Sequence, residues 1–348
     1  MVNTVLYNKK LFTNWLFIGV VMLIVQVSLG SITRLTGSGL SITKWELITG
    51  TIPPLTENDW QNAFSQYQNT PQYLYLNYDF NINDFKTIYF WEWMHRFWAR
   101  LMALVFVIGI LFFYFKKALP KYILSSFVLL FFLGLIQGAI GWIMVKSGLT
   151  GTAVYVQPLK LAIHFVLAII LTIYLWDIAL KVKNYNNQSN TILVSSKILK
   201  KIIISLILLT LIQFFLGAML AGAKAAQTAP TWPTINGSWI PNNLFTMSEE
   251  NWVLKIHFFH RLNAYLIFLI TCWYVIKSSL VLKTKNMKLL YIVLIQVGLG
   301  ISTLFSSKNI IPQKWGIFES VALLHQIIGI IFLMELWREL FYKKLSYA

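Results

Sequence analysis

Charge is what this chain lacks. Charged side chains make up 12% of its residues, against about 25% in a soluble domain. Such a chain cannot cover a water-facing surface, so a soluble globule is excluded and a polytopic membrane protein is implied. Acidic residues are the scarcer sign: 12 Asp and Glu stand against 29 Lys and Arg, for a net charge of +17. Few carboxylates remain inside apolar segments, which counts against an ion-coupled transporter. There is one cysteine, Cys272, inside an apolar run. It excludes an intrachain disulfide, and the absence of Cys-x-x-Cys-His excludes covalent haem attachment by that motif. Met1 to Lys10 has no Arg/Ser-rich amphipathic stretch, and the first apolar run is too long for a signal-peptide core. No targeting segment is therefore expected.

What the chain has is apolar length. Eight runs reach the roughly 20 residues that a membrane span needs, near 12–32, 91–115, 121–144, 159–181, 199–223, 252–276, 287–306 and 319–341. Two polar interruptions, 33–90 and 224–251, both follow an odd-numbered run and so share a side of the membrane. With both termini placed inside, the inner segments hold 17 Lys and Arg and the outer ones 9, while Arg96, Arg100 and Arg261 fall within runs. The bias favours cytoplasmic termini. It also assigns the lysines to topology, so no nucleic-acid partner is expected.

The two halves repeat. The odd runs each carry Gln-x-x-x-Gly: Gln26/Gly30, Gln137/Gly141, Gln213/Gly217 and Gln296/Gly300. One helical turn separates each pair, which predicts close helix packing with a hydrogen-bonding glutamine. The even runs each carry a histidine: His95, His164, His260 and His325. The fold expected is all-α, with eight spans forming two parallel-repeat four-helix bundles, residues 1–183 and 184–348.

All four histidines are expected in the first turns of their helices, at one depth near the outer face. A lone intramembrane histidine is usually a packing residue, but four in register point to ligands. Two imidazoles from facing helices can hold a planar haem between them. A zinc or copper site would gather its ligands at one centre, often with carboxylate or thiolate company. Glu92 precedes His95 by three residues, and His257 precedes His260 by three. Glu92 is a candidate proton carrier or a helix-start acid. His257, without a histidine counterpart, is expected beside the ligands rather than among them. Arg96 and Arg261 follow their histidines and can pair with haem propionates or snorkel to the interface.

These residues resemble the haem A synthase family, in its mitochondrial and alphaproteobacterial branch. The stretch from Gly30 through Arg34 and Gly39 to Trp45, then Gly50 to Pro54, is similar to the family's first outer loop. Glu92-x-x-His95-Arg96 resembles its second-helix motif. Lys146 to Leu149, Leu161 to His164, Ala221-Gly222, Pro233, Gly237, Trp239 to Pro241, His260-Arg261 and His325 extend the likeness over nearly the whole chain. The chain departs from the pattern at Glu46-Leu47, at Lys224, and in having no outer cysteine pair.

The resemblance implies oxidation of the C8 methyl of haem O to a formyl group, giving haem A for terminal oxidases. It implies successive hydroxylation and loss of water from a geminal diol. His95 and His164 would flank substrate haem O, and His260 and His325 would ligate a haem b cofactor. Glu92 would be the acid needed for turnover, and Arg34, Arg96, Arg261 and His257 would bind propionates or support the ligands. Expected partners are haem O synthase, oxidase assembly factors, an electron donor and lipid, in a bacterial plasma membrane. The competing reading is a di-haem b electron carrier. It shares the four ligands but does not explain the first-loop signature or the Glu92/His257 difference.

Overall fold

The computed structural model describes residues 2–46, 49–185, 196–241, 244, 251–282, 287–311 and 314–345 of the 348. It is helical throughout, and no strand occurs among the described residues. Among the described residues eight helices are long and apolar enough to cross a membrane, and each overlaps one of the expected runs. They are α1 (Val2–Leu35), α4 (Ile82–Phe115), α5 (Leu124–Lys146), α6 (Pro158–Asn184), α7 (Lys197–Gly222), α8 (Trp252–Leu282), α9 (Lys288–Ser306) and α10 (Ile317–Leu345). Large apolar side chains stay exposed along them, such as Leu104, Ile108, Leu111 and Phe112 of α4 and Phe131, Phe132, Leu135 and Ile136 of α5. Apolar surface on this scale is a lipid-facing wall, and helices satisfy their own backbone there. The chain is a multi-pass membrane protein.

It divides into two compact units, one reaching Thr172 and the other beginning at Ile173, with the change inside α6. In the first unit α1 packs on α4. Phe12 and Trp15 of α1, Phe106 and Phe113 of α4 and Phe127 of α5 form an aromatic cluster, with Phe12 edge-on to Phe113 at 4.8 Å and Trp15 edge-on to Phe127 at 5.9 Å. Gly109 of α4 makes this possible, because a Cβ there would lie 2.3 Å from the Trp15 ring.

The segment expected as a polar loop is largely folded. It contains two short helices, α2 (Glu57–Gln68) and α3 (Pro71–Tyr75), and α4 begins at Ile82, well before its apolar run. Local chemistry explains both starts. Thr56 and Asp59 form a capping box on α2, and Asn81 and Asp84 form one on α4. Phe64, Tyr67, Phe85 and Ile88 make a small separate core. Inside it the Tyr67 hydroxyl donates to Gln72 Oε1 (3.1 Å) and accepts from Asn77 Nδ2 (2.7 Å). Burial pushes the Tyr67 hydroxyl well above its usual pKa, so it stays a donor. Gln72 Nε2 in turn reaches Gly37 O (3.1 Å) just beyond α1, where Gly37 takes a left-handed conformation that ends the helix. Leu47, one of the two residues at the first departure from the family pattern, lies outside the described residues.

In the second unit α7, α8, α9 and α10 close a ring, each packing on its two neighbours. Past the histidines, Glu335 is buried between Lys288 (2.8 Å) and Arg338. Tyr274 donates to Glu339 (3.1 Å), and Trp337 donates to Asp177 (3.0 Å) on the last part of α6.

Filling Gly109 is expected to break the aromatic cluster. Gly109→Val should lower stability by about 1–3 kcal/mol, the usual cost of overpacking a tight site. Thermal unfolding followed by helical circular dichroism in detergent reads this. An unchanged midpoint would contradict the contact between α1 and α4.

Candidate functional site

The four histidines share one local construction. Each ring lies against the glycine of the preceding helix's Gln-x-x-x-Gly. A Cβ on Gly30 would come within 3.1 Å of the His95 ring. The same distance is 2.9 Å for Gly141 and His164, 3.2 Å for Gly217 and His260, and 3.1 Å for Gly300 and His325. Any larger residue would push the imidazole away, so glycine here is a seat for the ring.

The glutamine one turn earlier reaches the same histidine. Gln26 Nε2 donates to His95 O (3.2 Å), Gln137 Nε2 to His164 O (3.1 Å) and Gln213 Nε2 to His260 O (3.0 Å). Gln137, Gln213 and Gln296 also place Nε2 at 3.4, 3.2 and 3.4 Å from the imidazole Nε2. His325 Nδ1 lies 3.1 Å from Gln296 O. Its proton therefore belongs on Nδ1, which leaves a lone pair on Nε2. Nδ1 of His164 and of His260 is buried without a hydrogen-bond partner. The expected close packing with a hydrogen-bonding glutamine is observed, and its target is the histidine itself.

The histidines fall into two pairs. His95 and His164 lie close enough to interact electrostatically within the first unit, as do His260 and His325 within the second. They do not sit in first turns. His164, His260 and His325 come six to eight residues after their helices begin, and His95 comes thirteen after, because α4 starts early.

Around the pairs, side chains fasten the segments that follow α1 and α7. Glu92 is only 2% exposed. Its Oε2 accepts from Ser41 Oγ (2.7 Å) and from Ile42 N (2.9 Å), and its Oε1 from Arg96 (2.6 Å). Arg96 also donates to Ile42 O (3.0 Å) and Lys44 O (3.2 Å), and its guanidinium lies over the Trp45 ring. The second unit does the equivalent with other atoms. His257 Nε2 is 2.8 Å from Ala225 O, and Arg261 donates to Ala229 O (2.5 Å), Thr231 O (2.9 Å) and Thr234 O (3.2 Å). Arg96 and Arg261 both donate to loop carbonyls, and Arg96 to Glu92 as well. His257 is engaged with the backbone carbonyl of Ala225. Arg34 is partly buried in the last turn of α1. Of the departures, Glu46 accepts from Thr49 (2.8 Å) and its carbonyl from Arg100 (2.5 Å). Lys224 takes the left-handed conformation just past α7.

Sequence reasoning missed Ser41, Trp98 and Asn263. Asn263 carried a signal, being an amide in an apolar run one turn after His260.

The arrangement defines an all-helical, multi-pass membrane protein whose two units each hold a pair of inward imidazoles. Residues 13–336 match the family model described as cytochrome oxidase assembly protein, COX15-CtaA, and the chain belongs to that family. Similar proteins carry the name haem A synthase. That of Methylobacterium radiotolerans is 36% identical over 327 residues, covering 90% of this chain and 85% of its own. That of Rickettsia felis is 35% identical over 334 residues, covering 94% and 96%. The Mesorhizobium japonicum protein is 36% identical over 310 residues, covering 86% and 84%.

Removing the guanidinium that holds the first loop should release it. In Arg96→Leu, trypsin should cut after Lys44 at least about tenfold faster than in the unaltered protein, since bonds to a charged group contribute about 1.5–3 kcal/mol each. Timed digestion with mass analysis of the fragments checks this, and unchanged cleavage would show that the loop is held by other contacts.

Proposed function

We propose that this protein is a haem A synthase, an oxidoreductase that converts the C8 methyl of haem O to a formyl group for use in terminal oxidases. Family membership and the named relatives support the activity. The observation that carries the site is the recurrence of one construction at four histidines, grouped as two pairs. A glycine seat that admits only the ring, repeated at all four positions, fits an imidazole kept for iron.

In this proposal the chain works as two functional halves, 1–183 and 184–348, arranged as parallel repeats. His95 and His164 flank haem O, and His260 and His325 ligate haem b. Bound haem b supplies one-electron transfer. The protein's own side chains do the rest. Gln26, Gln137 and Gln213 hold their histidines through the backbone carbonyl and Gln296 holds His325 through the ring, and a neutral imidazole offers one ring nitrogen to iron. The glycine seats fix how far each ring stands from its neighbouring helix. The apolar helices keep water from the pairs. Glu92 serves turnover from the first half. Its carboxylate, held by Ser41, Ile42 and Arg96, sets the first loop beside His95 and is the acid nearest that ligand in sequence. Arg34 lies one turn beyond Gly30 and is assigned to support the same half.

The basic-residue bias supports cytoplasmic termini and, with them, histidine-bearing ends of the even helices toward the outer face of a bacterial plasma membrane. The di-haem b carrier remains the competing reading, with no observation in its favour over the enzyme.

Coexpression with a haem O synthase, followed by mass analysis of extracted haem, decides the activity. Haem A is expected, and haem O alone from folded, haem-loaded protein would sink the proposal. His260→Ala and His325→Ala should lose haem b from purified protein, and full retention would overturn the assignment of halves. Glu92→Ala should keep its haem and convert at least about tenfold more slowly, since misplaced groups around a reacting centre cost on this order or more. Unchanged conversion would remove Glu92 from the mechanism.

A further inference from the structure

Asn263 lies one turn after His260 on α8 and is buried. Its Nδ2 donates twice, to Leu209 O (2.9 Å) and to Gln213 Oε1 (2.8 Å), both on α7. The second bond fixes the glutamine. With Oε1 committed to Asn263, Gln213 must turn Nε2 toward His260, where it lies 3.0 Å from the carbonyl oxygen and 3.2 Å from the imidazole Nε2. Turning the amide over would set NH2 against NH2 on one side and oxygen against oxygen on the other. Buried mismatches of that kind are costly.

The first repeat matches this arrangement up to one atom. Trp98 lies one turn after His95, and its indole Nε1 donates to Met22 O (3.0 Å). Met22 precedes Gln26 by one turn, as Leu209 precedes Gln213. An indole has a single N–H, so nothing remains for the glutamine, and Gln26 Oε1 is buried without a hydrogen-bond partner. Gln26 is held from the histidine side alone.

We propose that Asn263 is a positioning residue that locks Gln213, and through it His260, into one orientation. Trp98 withholds the same lock from Gln26 and His95. The second half thereby retains its haem through many turnovers, while the first half lets its haem exchange. This inference rests on the assignment of halves proposed above and supplies a physical reason for it: a substrate must leave after each turnover, and a cofactor must stay.

The test uses full-length protein carrying His95→Ala, so that the second half is read alone. Haem release to excess apomyoglobin is followed by absorbance, and the ferric low-spin signal by electron paramagnetic resonance. Asn263→Leu removes the donor while keeping the number and branching of side-chain heavy atoms. Asn263→Asp keeps the shape and sets an acceptor against Gln213 Oε1. Both should load haem and release it about tenfold faster, the effect expected for one hydrogen bond of about 1.4 kcal/mol. Their low-spin signal should broaden or split as Gln213 takes two orientations. If Asn263→Leu does not fold, the isosteric Asn263→Asp decides. Unchanged release with an unchanged signal overturns the inference while leaving the halves as assigned. Lowered thermal stability with neither change shows a merely structural role and overturns it too. If His95→Ala protein binds no haem while His260→Ala protein does, the assignment of halves fails and the inference falls with it.

Discussion

A polar group placed in hydrocarbon must find its partner within the protein, and in this chain the partner of each ligand-type histidine is a glutamine on the preceding helix. Such interhelical bonds are individually modest, on the order of 0.6 to 1.7 kcal/mol in membrane proteins. Four of them do not hold eight helices together. The apolar interfaces do that, through contacts such as Phe12 on Phe113 and the ring of α7 to α10. The glutamines instead decide direction. Each donates to a histidine or its carbonyl from one turn before the glycine that seats the ring. Orientation and distance are thus set by two residues on one helix face, and the sequence needs only five consecutive positions to encode both.

The segments after α1 and α7 obey the same rule with polar and charged groups. In the first unit the segment after α1 presents a hydroxyl and an N–H, from Ser41 and Ile42, and the residue three before the histidine is an acceptor, Glu92. In the second unit the segment after α7 presents a carbonyl, Ala225 O, and the residue at that place is a donor, His257. The exchange of Glu for His follows the polarity of what each must hold. The arginine that follows the histidine meets carbonyls in both units and is therefore the same residue in both. The Glu92/His257 difference thus has a structural cause beside any catalytic one. A carboxylate tied to three donors is a firm anchor for the loop next to His95.

The spans, the histidines and the glutamine–glycine pairs were all legible, because hydropathy and helical spacing are one-dimensional signals. Two other features were readable but unread. Thr56 with Asp59 and Asn81 with Asp84 are capping boxes in plain sequence, and they turn an apparent loop into α2 and an early start for α4. Beyond the i,i+4 pair of Arg96 with Glu92, the destinations of Arg96 and Arg261 were not readable. Their partners are backbone carbonyls, which every residue carries, so no side chain marks them. The same holds for the Tyr67 network, where Gln72, Asn77 and Tyr67 look like ordinary polar loop residues until the fold buries them.

A duplicated scaffold sets a particular problem. If both halves must hold a haem, the ligands and their seats cannot differ, since losing a ring or its glycine loses the site. Any division of labour has to be written one turn away. That is where the units part. Gln26 and Gln213 occupy equivalent places, and so do Met22 and Leu209, yet Trp98 offers one donor where Asn263 offers two. A single additional N–H changes no histidine and no helix, but it removes an alternative orientation of the glutamine that touches the histidine. Differences of this size, about one hydrogen bond, do little to the stability of a helical bundle. In the proposed division of labour they act on how long a bound haem stays.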